Sequence, residues 1–185
     1  REQGITLHLD GARLWESQPF YGRSYAEICA LFDSVYVSFY KILGGISGAA
    51  LVGDERLISE AKVWQRRHGG KIPRLYPFVL AAKMGMDQRL SQMDAYYRKA
   101  CAIAGAISQI EGVEIKPNPP HCNMMQIYFK RDKERLFEAV LDLAEETGTL
   151  LAYYLMPSAI PAYCMQELTI GDGAESDLLP EDRAW

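Results

Sequence analysis

This 185-residue sequence has few cysteines, no long apolar run and no excess of positive charge. No two of its four cysteines form a Cys-x-x-Cys pair, which argues against a metal knuckle or a secreted disulfide framework. The most apolar stretch, residues 150–165, contains two prolines and is shorter than the ~20 residues of a membrane-spanning helix. Lys and Arg number 20 against 24 Asp and Glu, so nucleic acid is not an expected partner. We therefore expect a cytoplasmic protein with free thiols, no membrane segment and no bound metal.

What is present is the composition of a globular chain. Hydrophobic residues make up 49 % and charged residues 24 % of the sequence, enough to bury a core. Residues 5–9 have the pattern of a buried strand, with almost no chain before it. A central strand so near the start leads us to expect that the beginning of the fold is missing.

The first half of the chain alternates short apolar strands with helical patterns, which predicts an α/β fold. The strands show no polar alternation, so we expect a mostly parallel sheet that is covered on both faces, in three layers. The predicted strands are residues 5–9, 34–40 and 49–53, and the predicted helices are residues 24–31 and 54–67.

The second half begins with a helical pattern over residues 76–110, which is long enough that we expect a break near Gly85. After it, the pattern predicts four strands and one amphipathic helix. The strands are residues 113–116, 123–129, 150–155 and 165–170, and the helix is residues 132–147. The sequence thus predicts a large domain over residues 1–110 and a small C-terminal α+β domain over residues 111–185.

Ionisable side chains follow two neighbouring strands at their carboxyl ends, where open α/β sheets bind ligands. Asp10 lies in the segment HLDGAR and Lys41 in the segment SFYKILGG. A salt bridge is the simpler interpretation of this pair. The alternative is a pyridoxal 5'-phosphate (PLP) site, in which a lysine forms a Schiff base and an aspartate pairs with the pyridine nitrogen. The glycines beside both residues allow a ligand to approach closely.

These motifs resemble those of the β-eliminating lyase/threonine aldolase family. The resemblance rests on HLDGAR, on DSVYVSFYKILGG followed by GAALVGD, and on RRHGG at residues 66–70. It implies the aspartate-aminotransferase-like fold, type I of the PLP enzymes, with this chain as the C-terminal portion. It also implies a homodimer or homotetramer, because the sites of this family lie at subunit interfaces.

The resemblance implies a role for each matching position. Asp10 would pair with the pyridine nitrogen, and Ala12 would pack against one face of the cofactor ring. Arg13 would contact the phenolic oxygen of the cofactor or the carboxylate of the substrate. Lys41 would bind the cofactor and move protons, and Ser38 would contact the phosphate.

Two further residues are weaker candidates. His8 shares a strand face with Asp10, so it would either donate a ring N–H to that carboxylate and orient it within the cofactor-binding site, or be a buried histidine whose hydrogen bonds are made elsewhere. Arg74 resembles a family arginine near the cofactor and would bind the substrate, although it lies about one position out of register.

Three features depart from the family pattern. The segment that normally precedes HLDGAR, with its phosphate-binding glycine turn and a stacking aromatic residue, is expected to lie outside this chain. Residues 166–172 contain Glu167 and no arginine, whereas threonine aldolases bind the substrate carboxylate there with an arginine. Tyr40 replaces a small residue next to Lys41. These departures favour a neighbouring subgroup over an aldolase that acts on threonine itself.

Together, these observations predict a PLP-dependent lyase that acts on a small-molecule amino acid, by aldol-type cleavage or by β-elimination. Two alternatives remain at this point. The chain would be a truncated or degenerate homologue without activity, or an aminotransferase built on the same scaffold.

Overall fold

The computed structural model describes residues 4–160 and 162–174, and the chain divides into two compact units at the junction of Asp94 and Ala95. The predicted boundary after residue 110 lies later in the chain and stays a prediction for the domains of the whole enzyme. The first unit contains three strands and four helices in chain order. They are β1 (His8–Gly11), α1 (Leu14–Tyr21), α2 (Tyr25–Cys29), β2 (Ser34–Ser38), β3 (Ala49–Gly53), α3 (Glu55–Arg67) and α4 (Tyr76–Arg89).

The second unit is built on a four-stranded antiparallel sheet. A 3-10 turn, Leu90–Gln92, separates α4 from α5, and the last element is a second such turn, Asp172–Ala174. The regular elements are α5 (Met93–Ile107), β4 (Val113–Lys116), β5 (Met124–Phe129), α6 (Lys133–Thr147), β6 (Met156–Pro157) and β7 (Cys164–Thr169). The strand order is β4-β5-β7-β6.

The first sheet has the order β1-β2-β3, with β1 parallel and β3 antiparallel to β2. One face of β2 is apolar, and its Val35 and Val37 pack with Leu14 of α1 and Ile28 of α2 in a buried cluster. Because side chains alternate along a strand, Ser34, Tyr36 and Ser38 lie on the other face of β2, which is therefore polar. This two-sided pattern places the polar residues of β1 and β2 together, on the face opposite the apolar cluster.

Local signals account for the helices of the first unit. Ser24 caps α2 in a capping box with Glu27, as the sequence predicts, and Asp54 caps α3 by accepting from the backbone N–H of Leu57 at 2.7 Å. The prediction missed α1, whose interior contains Pro19. Leu14 of α1 is 5 % exposed, so burial of its side chain stabilises a helix that the local sequence pattern does not predict.

Three predictions, for the first strand, the long helix and the late strands, were wrong. The helical pattern breaks at Leu90–Gln92 and not near Gly85, which lies buried within α4. The predicted strand over residues 150–155 is irregular chain, and the short β6 follows it. Residues 5–7 lie before β1 and not within it, and Ile5 is 58 % exposed rather than buried.

Within the second unit, α5 packs on one set of strand side chains. Ala100 and Ala104 of this helix join Ile115, Met125 and Ile127 in one buried cluster. A separate cluster of Ala152, Leu155 and Cys164 packs against partly buried side chains of α6. The four cysteines are free thiols. Among the described residues, no helix is both long enough and apolar enough to cross a membrane.

Candidate active site

Asp10 and Lys41 are brought to the same edge of the first sheet. Asp10 lies on β1 opposite Tyr36 of β2, and Lys41 follows the carboxyl end of β2. Because the two strands are parallel, their carboxyl ends point the same way. Asp10 is exposed, with Oδ1 accepting from the backbone N–H of Ala12 at 3.2 Å, and Lys41 is half-buried. A carboxylate and an amine therefore stand at one sheet edge, within the same compact unit.

Ser38 connects the ends of the two strands. Its side chain is 1 % exposed, and its hydroxyl donates to the carbonyl oxygen of Ala12 at 2.7 Å. The backbone carbonyl of Ser38 accepts from the indole N–H of Trp15 at 2.8 Å. The hydroxyl hydrogen is therefore engaged by the backbone. This geometry favours a structural role for Ser38, which joins the Asp10 turn to the Lys41 loop, while its predicted contact with a phosphate stays a prediction.

Replacing Ser38 by alanine is expected to destabilise the first unit by about 1–2 kcal/mol, since the carbonyl of Ala12 loses its donor. The measurement is a urea titration of the free energy of unfolding. Ser59→Ala, an exposed position in the middle of α3, is the matched control and should change stability by less than ~0.5 kcal/mol. Equal behaviour of the two variants would contradict the connecting role of Ser38.

The Lys41 loop has a defined backbone. The N–H of Gly44 donates to the carbonyl of Lys41 and the N–H of Gly45 to that of Phe39, each at 2.8 Å. Gly44 has a φ of +70°, which favours glycine. A Cβ on Gly45 would lie 2.5 Å from the carbonyl oxygen of Phe39, so a side chain does not fit there. The two glycines that follow Lys41 are thus required by the turn itself.

This loop is held against α4 by contacts that the sequence analysis missed. Leu43 is 1 % exposed, and its carbonyl accepts from Nη1 of Arg89 at 3.0 Å. On the same helix, Gly85 lies so close that a Cβ added there would overlap the carbonyl oxygen of Leu43. A glycine inside a helical pattern is the one sequence signal that pointed here, and it signals close packing rather than a break.

Two candidate residues lie apart from this arrangement. The ring nitrogen Nδ1 of His8 lies 2.7 Å from the hydroxyl of Ser34, its register partner on β2, and the residue is exposed rather than buried. A contact of His8 with the cofactor stays a prediction. Arg74 is exposed in the turn before α4, with a φ of +60°, and its role toward a substrate also stays a prediction.

A tyrosine pair lies beside Asp10 and Lys41. The hydroxyl groups of Tyr36 and Tyr40 are 3.2 Å apart. The hydrogen bond to Tyr40, aided by burial and by the charges of Tyr40 and Asp10, raises the pKa of Tyr36 to about 12. Tyr36 therefore keeps its proton at neutral pH and serves this edge as a neutral hydrogen-bonding group. Tyr40, the residue that departs from the family pattern, is thus hydrogen-bonded to Tyr36 through its hydroxyl group.

A cavity of about 310 Å³ lies beside the Asp10 turn. Its lining includes Asp10, Gly11 and Arg13, together with apolar residues of α1 and α2, while Lys41 is not among its lining residues. Of the candidate site residues, the cavity therefore includes Asp10 and Arg13 only.

A model of the beta-eliminating lyase family matches residues 1–131, which include Asp10, Lys41 and the loop that α4 supports. The chain belongs to the beta-eliminating lyase family. The family membership expected from HLDGAR and SFYKILGG is thereby confirmed.

Three relatives illustrate the similarity of this beta-eliminating lyase chain. A low-specificity L-threonine aldolase of Candida albicans is 35 % identical over 133 residues, which cover 72 % of this chain and 35 % of that protein. A candidate L-allo-threonine aldolase of Listeria monocytogenes has a TM-score of 0.89 at 43 % identity, covering 95 % of this chain and 48 % of its own. A candidate aromatic amino acid beta-eliminating lyase/threonine aldolase of Exiguobacterium has a TM-score of 0.90 at 39 % identity. That match covers 98 % of this chain and 51 % of the Exiguobacterium chain.

These solved structures confirm the predicted α/β fold class. The match covers about half the length of the two solved structures and about a third of the Candida albicans protein, so this chain matches only part of each. The match extends over both compact units of the chain.

Proposed function

We propose that this chain is part of a PLP-dependent lyase that acts on an amino acid, by aldol-type cleavage or by β-elimination. The observation that carries the proposal is the placement of Asp10 and Lys41 at adjacent carboxyl ends of two parallel strands. The resemblance of these two motifs to the family, and the threonine aldolases among the relatives, support the same reaction class.

The groups at this edge fit the chemistry of PLP. An amine, an accessible carboxylate and a guanidinium match its aldehyde, its pyridine nitrogen and its phenolic oxygen. When bound, the cofactor supplies a ring that accepts the electron pair left by cleavage of a bond at the α- or β-carbon.

Each residue then has a defined task. Asp10 would hold a proton on the pyridine nitrogen through a charge-assisted hydrogen bond, and the methyl group of Ala12 would pack against the ring. The amine of Lys41 would hold the cofactor at its aldehyde carbon and, when free, would move a proton at the reacting carbon of the substrate. Arg13 would contact the phenolic oxygen or the carboxylate of the substrate. The loop of Leu43–Gly45, docked on α4, keeps Lys41 at the strand end.

The whole enzyme is proposed to be a cytoplasmic homodimer or homotetramer. The support for this assembly is the resemblance to the family, whose sites lie at subunit interfaces.

The test is chemical labelling of Lys41. The full-length protein that carries this chain is incubated with PLP, reduced with borohydride and digested, and its peptides are weighed by mass spectrometry. A pyridoxyl adduct on Lys41 is the expected result, and its absence would overturn the proposal. Lys41→Arg, which keeps the charge but cannot form the Schiff base, is the matched control.

The same preparation separates the alternatives. A keto-acid product with stoichiometric pyridoxamine would indicate an aminotransferase. A protein that fails to hold PLP through dialysis would indicate a degenerate homologue. For the 185-residue chain alone we expect weak or no retention of PLP, because Asp10 and Lys41 contact only part of the cofactor.

A further inference from the structure

An arginine from outside both sequence motifs reaches the loop that carries Lys41. Arg89 is the last residue of α4, 46 positions after Leu43. An arginine at the end of a helix is ordinarily solvated. Here the side chain is half-buried, and its Nη1 atom donates to the carbonyl oxygen of Leu43 at 3.0 Å. A donor of the guanidinium is therefore engaged by the backbone of the loop.

Two features show how closely the guanidinium fits this loop. Leu43 is 1 % exposed, so its carbonyl oxygen is removed from water and needs a donor from the protein. Gly44 has no side chain, and a Cβ added there would overlap Nη1 of Arg89. The arginine thus lies in the space that a side chain at position 44 would need, and it satisfies the carbonyl group beside it.

The same carbonyl group is contacted a second time from α4. Gly85 precedes Arg89 by four positions, so the two residues share one face of the helix. A Cβ added to Gly85 would overlap the carbonyl oxygen of Leu43. The glycine lets the helix approach the loop, and the arginine one turn later supplies the hydrogen-bond donor.

The contact continues to Lys41 through a single peptide group. The carbonyl of the Leu43–Gly44 peptide accepts from Arg89, and its N–H donates to the carbonyl oxygen of Lys41 at 2.8 Å. The consecutive glycines Gly44 and Gly45 give this turn more backbone freedom than other residues would. Fixing the plane of this one peptide group therefore restricts where the backbone of Lys41 lies.

We propose that Arg89 is a positioning residue of the candidate site, which fixes the Leu43–Gly44 peptide group and thereby the place of the Lys41 amine. The inference rests on the proposed function, because that function makes Lys41 the lysine that holds the cofactor. Arg89 acts through the backbone of the turn and needs no contact of its own with a ligand.

The first test needs no cofactor, and it measures backbone hydrogen exchange in the full-length protein by mass spectrometry. Arg89→Met removes the charged donor but keeps an apolar stem. Exchange at Gly44 and Gly45 should become faster by about 10–100-fold, the factor that corresponds to loss of a hydrogen bond from a charged group. Exchange in β1 and β2 should stay as in wild type. Arg56→Met, at an exposed arginine of α3, is the matched control and should change neither region.

Arg89→Lys keeps the charge and one donor group, so its exchange rates at Gly44 and Gly45 should lie between those of wild type and Arg89→Met. This variant also gives the comparison if Arg89→Met does not fold.

The second test measures cleavage of β-substituted amino acids by the full-length protein loaded with PLP. Arg89→Met should lower kcat by about 10²-fold, the cost associated with a displacement of about 1 Å at a reacting group. KM should change little, because Arg89 is not assigned a contact with the substrate. Arg89→Lys should recover part of the loss, and Arg56→Met should match wild type.

The two tests separate the positioning role from the proposed function. Unchanged exchange at Gly44 and Gly45 in Arg89→Met would overturn the positioning role. Faster exchange that extends equally through β1 and β2 would overturn it too, because Arg89 would then support the whole unit rather than the turn. A local rise in exchange with an unchanged kcat would show that the turn does not place Lys41. A wild type with no pyridoxyl adduct on Lys41 would instead overturn the proposed function, while the exchange rates would still decide whether Arg89 fixes the turn.

Discussion

Replacing Lys41 by alanine is expected to reduce cofactor-dependent cleavage of an amino acid by at least ~10²–10⁴-fold, the range associated with loss of a positioned proton-transfer group. The physical reason is that Lys41 is the amine at the carboxyl end of β2, and no other lysine lies in the Leu43–Gly45 loop or the Asp10 turn. The measurement is release of an aldehyde or a keto acid from β-substituted amino acids by the full-length protein. The loss should appear in kcat rather than in stability.

The matched control for this experiment is Lys62→Ala, which removes an exposed lysine from α3. Its activity should match that of wild type. Lys41→Arg should be as inactive as Lys41→Ala, because retention of charge does not replace the primary amine. If Lys41→Ala kept wild-type activity, the assignment of this lysine, and with it the proposed reaction, would be wrong.

Replacing Gly85 by alanine is expected to destabilise the first unit by about 1–3 kcal/mol, through overpacking against the Lys41 loop. A Cβ at this position would overlap the carbonyl oxygen of Leu43 and lie 2.8 Å from its carbonyl carbon. These are backbone atoms, and they cannot rotate away as a side chain does. The measurement is the urea midpoint of unfolding, read together with the slope of the transition.

The chain offers a control of opposite sign. Gly105 also lies inside a helix, α5, but a Cβ there would meet no atom within 4 Å. Gly105→Ala should therefore stabilise the protein by about 0.5–1 kcal/mol, the ordinary helix preference of alanine over glycine. If Gly85→Ala were stabilising as well, the close docking of the Leu43 backbone on α4 would be contradicted.

The difference between these two glycines shows why part of the site was predictable and part was not. Asp10 and Lys41 each follow a recognisable apolar strand, and parallel strands bring such positions to one edge. The contacts of Gly85 and Arg89 with Leu43 join residues more than forty positions apart, and no local pattern records them. The glycine of α4 was interpreted as a helix break because its packing partner was unknown.

Glu16 illustrates the same limit in electrostatic terms. In the sequence it is an ordinary charged residue near the start of a short helix, and such residues are usually solvated. Its side chain is nevertheless 0 % exposed, which depends on how α1 packs against β2 and α2. His8 presents the opposite case, since its strand position allowed two interpretations and only the register of β1 with β2 selected Ser34 as its partner.

The sequence by itself determined the α/β class, the capped helices α2 and α3, and the pair of motifs that identifies the family. These features depend on residues that are close together in the sequence, through caps, turns and strand patterns, and can therefore be predicted from the sequence alone. Only the tertiary structure decided which groups surround that pair: Ser38 joined to Ala12, the Lys41 loop docked on Gly85, and Glu16 buried beside Arg13. Burial and charge proximity arise from contacts between distant segments, so they exist only once the chain has folded.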